Sequence, residues 1–247
     1  MKAGIEAAQR IATEVADESA SVASRRGPEQ ARRSVLRRLD AELGRVPASD
    51  RGPVACAAGC DLCCHLRVMT TPVEVFGLLD YLRSAFDASW FDGFRARVTA
   101  AASRLAGLSR SEVLATNLPC PVLVDGRCAG YAARPLNCRA YHSLARDACE
   151  RSFDAPGDSS LGHPQYASVA RVHEGVQAGF ASGLRGVAEH RVQQEAHHQR
   201  EHDGRAPEHH PPALRDRVRD RAAARERGVV AHTGDWRRNA RSPTPVP

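Results

Sequence analysis

The feature that most limits how this chain can fold is the crowding of its sulfur. All eight cysteines, Cys56, Cys60, Cys63, Cys64, Cys120, Cys128, Cys138 and Cys149, fall in the middle of 247 residues, and neither flank holds one. Thiols so concentrated must pair as disulfides, be buried as small apolar groups, or share a metal ion. In the first group, Cys56-Ala-Ala-Gly-Cys60-Asp-Leu-Cys63-Cys64, the short gaps let one loop wrap around an ion. Gly59 allows the backbone to bend close to it. Adjacent side chains are expected to diverge. One of Cys63 and Cys64 should therefore serve a second centre or be buried as a small apolar group.

The second group is spaced more widely, at Cys120, Cys128, Cys138 and Cys149. Either group alone could supply most of a tetrahedral site. Together the eight fill two four-thiolate sites, or one site with spare ligands. Thiolates are soft ligands, suited to zinc or to iron, including iron–sulfur clusters. His65 and His142 lie near cysteines and could replace a thiolate, although an ordinary surface or hydrogen-bonded histidine is the expected role of each.

Compartment separates metal from disulfide. The first residues carry Glu6, Glu14, Asp17 and Glu18, where a secretory signal would need an uncharged apolar centre. No run of about 18 apolar residues suggests a membrane span. The expected location is the cytoplasm, where thiols stay reduced. An even cysteine count also fits a disulfide-stapled secreted domain, but the adjacent Cys63-Cys64 pair and the missing signal argue against it. The net charge is 35 − 29 = +6, with the two signs interspersed, so nucleic-acid binding is not expected.

The fold class expected is mainly α: a small helical domain with a short β-hairpin and a cysteine-lined metal site, followed by a disordered C-terminal tail. Residues 3–22 and 29–45 read as helices broken at Arg26-Gly27-Pro28, the second with Val35, Leu36, Leu39 and Leu43 at helical spacing. Thr71-Pro72-Val73-Glu74 is a helix start with a capping box. Val75, Leu78, Leu79 and Leu82 are its expected apolar face. A helix from Ala88 to about Leu105 and a short start at Ser109 and Glu112 follow. Asp125-Gly126 predicts a hairpin with Cys120 and Cys128 near its strand ends. Residues 130–146 read as a turn and helix, and 165–187 as a closing helix with Val169, Val172, Val176 and Phe180 along one side. From residue 188 on, 12 Arg and 7 His stand against one Leu, too little apolar surface to offset ordering entropy. His197, His198 and His202 could bind metal adventitiously, but a solvated tail is the better reading. The segments are thus 1–52, N-terminal helices; 53–187, the cysteine domain; and 188–247, the tail.

The two cysteine blocks carry a resemblance. Cys56 to Cys64 is similar to the opening Cys-x2–3-Cys-x2-Cys-Cys run of the YkgJ-like cysteine-cluster family, described as a zinc- or iron-chelating domain. Cys120-Pro121-Val122-Leu123, Gly126, Cys128, Tyr131, Arg134-Pro135, Cys138-Arg139 and Tyr141 follow its second block. Cys149 matches a trailing cysteine, and Glu74 an acidic position in the intervening helix. The resemblance spans roughly residues 53–150 and implies metal chelation by all eight cysteines. It implies no settled reaction, substrate or protein partner. Arg134 and Arg139 either offset thiolate charge or donate to sulfur; otherwise Arg134-Pro135 shapes a turn and Arg139 is solvated.

The alternative is an iron–sulfur enzyme. Cys56-x3-Cys60-x2-Cys63 has radical-SAM spacing, and flagellin lysine methylases carry a related cluster, so S-adenosylmethionine-dependent methyl transfer to a protein is the second functional reading. Leu62 stands where that signature usually has an aromatic, and the sequence predicts no βα repeat.

Overall fold

Helix α1 (Lys2–Arg26) turns sharply into α2 (Pro28–Arg45) at Gly27, whose φ of 87° lies in the left-handed region. Pro28 fits the first turn of α2 because it needs no amide there. This is a computed structural model; it describes the backbone of residues 2–203 and the side chains of residues 4–195. Arg38 pins the two helices together, reaching Glu14 at 2.5 Å, Glu42 at 2.7 Å and Glu18 at 3.6 Å. Ser34 donates to Glu18 as well, at 2.6 Å.

The core lies between this hairpin and the last described helix, α8 (Ala167–Asp203). Ile11 and Val15 from α1, Val35 and Leu39 from α2, and Val172, Val176 and Phe180 from α8 are all buried, together with Leu136. Residues 1–52 and 53–187, separate segments in the sequence, therefore share one core. Helices α1 and α8 touch backbone to side chain. A Cβ built on Gly175 would stand 2.7 Å from the Ala8 carbonyl oxygen. On Gly179 it would stand 2.4 Å from that of Ala12, and on Gly183 2.4 Å from that of Ala16. Both series climb together, so the two helices run parallel, and only glycine lets them approach this closely.

The closing helix keeps the apolar side read from its sequence, with Val169 packed against the core edge. It also continues past residue 187 to Asp203. From Ala188 to Glu195 every side chain is exposed. That stretch buries nothing, as its composition requires, and stays helical through good local helix formers. Residues 204–247, where the disordered tail is expected, lie outside the described residues, as do the side chains of His197, His198 and His202.

Between the frame helices run short elements. Helix α3 (Pro72–Ala85) starts with the expected capping box of Thr71 and Glu74. Of its expected apolar face, Leu82 is buried and Leu78 and Leu79 are half-buried, Leu78 against Gly130, while Val75 points outward at 39% exposure. Glu74 and Gly77 are buried as well, and the Arg32 side chain crosses α3 at Gly77. Helix α4 (Ala88–Leu105) matches its predicted bounds, and α5 (Arg110–Leu114) has the Ser109–Glu112 capping box. Strands β1 (Leu123–Val124) and β2 (Arg127–Cys128) pair antiparallel. Positive φ at both Asp125 and Gly126 makes the type I′ turn that suits the strand twist. Helices α6 (Leu136–Ala140) and α7 (Arg146–Asp154) complete the region. No βα repeat occurs among the described residues, and none of their helices is long and apolar enough to cross a membrane.

Candidate metal centre

The two cysteine groups meet through the backbone. A 3-10 turn spans Leu62–His65. The Cys120 amide donates to the Cys64 carbonyl at 2.8 Å, and the Leu118 amide to that of His65 at 3.1 Å. These two bonds lay the entry to the hairpin along the first cysteine loop. Further out, the Ala55 amide donates to the Ser143 carbonyl at 2.7 Å, and the Ser143 amide to Cys56 Sγ at 3.3 Å. Helix α7 packs on the 3-10 turn, with Phe153 edge-on to His65 at 5.2 Å.

The thiols sort into a centre and a margin. Cys63 and Cys64 act strongly on each other. The neighbouring Cys64 thiol draws Cys63 down to about 7, while Cys63 and burial push Cys64 up. Cys64 also feels Cys120 and Cys128. Burial raises Cys128, and the nearby Cys120 and Cys63 raise it further. Burial pushes Cys138 up to about 12, with Cys120, Cys128 and Cys63 adding repulsion. Cys63, Cys64, Cys120, Cys128 and Cys138 thus stand within electrostatic reach of one another, and each is partly buried. Cys149 lies across Tyr141, whose hydroxyl is raised by burial and then by Cys63, Cys138 and Cys149. Cys56 is exposed, and Cys60 acts on the Arg146 guanidinium at the rim.

The site mixes the two sequence groups rather than keeping each to itself. Among the described residues no group of three or more His, Cys, Asp or Glu side chains is placed to hold a metal ion, so the expected cysteine-lined metal site is not shown. Several half-buried sulfurs lie near one another, and the Asp61 carboxylate also acts on Cys63.

The neighbouring residues divide into those that act on the thiols and those that hold the backbone. Arg134 acts on Cys63, Cys128 and Cys138, favouring their thiolates, while it stacks over Tyr131 at 3.6 Å. Arg139 instead donates to the carbonyls of Arg134 at 3.0 Å and Ala132 at 2.8 Å, which shapes the turn before α6. Arg139 is thus neither at the thiolates nor solvated, the two roles expected of it, but ties the backbone of the turn. His142 has both ring nitrogens engaged: Nε2 accepts from the Tyr166 amide at 3.1 Å, so Nδ1 carries the proton toward the Ala140 carbonyl at 3.0 Å. His65 Nδ1 stands 3.1 Å from the Asp61 carbonyl. Both histidines have the ordinary hydrogen-bonded role.

Glu74 is buried at 6% exposure and holds two elements at once. Oε2 accepts from the Thr71 amide and hydroxyl, each at 2.8 Å, and Oε1 accepts from the Leu136 amide at 2.8 Å. The capping box announces the first set of bonds; no local pattern announces the second. No protein-family model, curated protein or solved structure matches this chain.

Proposed function

We propose that this protein binds a soft metal ion, zinc or iron, through thiolates drawn from both cysteine groups, with Cys63, Cys64, Cys120, Cys128 and Cys138 as the inner donors. The observation that carries this reading is the junction of the two groups, made by the Cys120 amide on the Cys64 carbonyl at 2.8 Å. It brings thiols from distant parts of the chain to one place in a region poor in core. Cys149, Cys60 and Cys56 supply further donors at the margin. The bound ion supplies positive charge that offsets the repulsion between neighbouring thiolates and joins loops that little else joins. Arg134 serves the same charge balance from outside the donor set.

Anaerobic purification, metal analysis and a visible spectrum test the proposal. Stoichiometric zinc in colourless protein, or iron with visible charge-transfer bands, supports it. Protein that retains neither, and takes up neither when offered zinc or ferrous iron under reducing conditions, overturns it.

A further inference from the structure

We infer that Glu74 is the positioning residue that sets Cys138 against the Cys63–Cys64 pair. The inference rests on the reading that these thiols share a metal ion, and the experiment below separates the two.

Helix α3 follows the Leu62–His65 turn after the short link 66–71, so its first turn lies close to Cys63 and Cys64 along the chain. Leu136 is the first residue of α6, and Cys138 lies on that same turn. The Glu74 carboxylate spans the gap between them, with one oxygen on each side. Thr70 Oγ1 adds a longer bond to Oε2 at 3.3 Å. With both oxygens turned to N–H and O–H donors, the carboxylate holds protein groups and is not itself turned to a cation.

A helix cap alone does not need this arrangement. Glu112 makes the same capping box on α5, accepting from the Ser109 amide at 2.7 Å, but it is exposed and holds no second element. Glutamine cannot replace Glu74, because its NH2 group would face an N–H or O–H donor at one end. Aspartate, one methylene shorter, cannot reach both.

The test is zinc affinity of the full-length protein, measured against a competing chelator, for wild type, Glu74→Gln, Cys138→Ser and the double variant. Glu74→Gln and Cys138→Ser should each weaken zinc binding about tenfold or more, as expected for losing a bond to a charged group. The double variant should bind no more weakly than Cys138→Ser alone, because the two act as one unit. Glu112→Gln should leave affinity unchanged. Additive losses in the double variant, or equal losses from Glu112→Gln, overturn the assignment.

Should the wild type take up neither zinc nor ferrous iron, the metal reading fails and the positioning role is judged by alkylation of metal-free protein. Glu74→Gln should then speed modification of Cys138 about tenfold relative to Cys56, following loss of the charged hydrogen bond. An unchanged ratio overturns it. Where Glu74→Gln does not fold, Glu74→Asp, which keeps the charge and the cap acceptor, serves in both measurements.

Discussion

The helical frame and the cysteine region are built on different physics. In the frame, α1, α2 and α8 bury Val15, Val35, Leu39, Val176 and Phe180 to 2% exposure or less, and the glycines of α8 let backbones meet. Among residues 54–66 and 118–145 only Leu118, Val122, Gly130, Leu136 and Ser143 are buried, and most other residues are half-buried. That region is held by single backbone bonds, a two-residue hairpin, the Glu74 carboxylate and scattered side-chain bonds such as those from Arg97, Arg139, Gln165 and Gln177 to carbonyls. A frame of this kind stands on packing. A region of the second kind lacks the apolar area to fix its own geometry, which is where a shared ion adds most.

The comparison can be broken by changing one region and watching the other. Phe180→Ala should cost about 3–5 kcal/mol, the usual loss for a fully buried aromatic, and lower the melting temperature of the whole unit. A melt in which only the cysteine region loosens would sink the division.

Acid should act on the frame as well. Burial depresses His173 to about 4, and Nδ1 finds no partner. A histidine depressed in the folded state opposes folding once the unfolded chain begins to bind its proton. Stability should be flat above pH 6.5 and fall between 6.5 and 4, by about 3 kcal/mol for a shift of this size. In His173→Leu that slope should vanish; an unchanged acid limb would show that other groups produce it.

Metal should act on the other region. Zinc at about a hundred times its Kd should add about 2.7 kcal/mol by mass action. Hydrogen exchange should slow in 54–66 and 118–145 while the α1 and α8 amides change least. Equal protection everywhere would erase the contrast.

Gly179→Ala should cost about 1–2 kcal/mol, since overpacking outweighs the gain in helix propensity. Its effect should appear in the melt and not in zinc affinity. The smallest change is Ser109→Ala, which removes the α5 cap. It should cost about 1 kcal/mol or less, seen as faster exchange of the first α5 amides alone.

Much of this fold was legible in the sequence because its signals are local. The caps at Thr71 and Ser109, the break at Gly27-Pro28, the Asp125-Gly126 turn and the bounds of α4 all depend on neighbours in the chain. The failures depend on distant residues. Arg32, far away in sequence, crosses α3 at Gly77, a contact no local pattern announces. The mixing of early and late cysteines follows from the Cys64–Cys120 bond, and the second role of Glu74 from Leu136. One long-range contact does leave a signal in the sequence. Gly175, Gly179 and Gly183, four apart in a helix, place a smooth strip where another helix can lie.

That parallel contact has a consequence for synthesis. Ile11 and Val15 leave the ribosome long before Gly175 and Phe180, by about ten seconds or more at ordinary elongation rates. All eight thiols emerge in that interval, after the first half of the clasp and before the second. The growing chain therefore displays its sulfur to the surroundings while the packing that encloses the core is incomplete. Whatever ion or oxidant reaches it first meets a nascent chain rather than a finished protein.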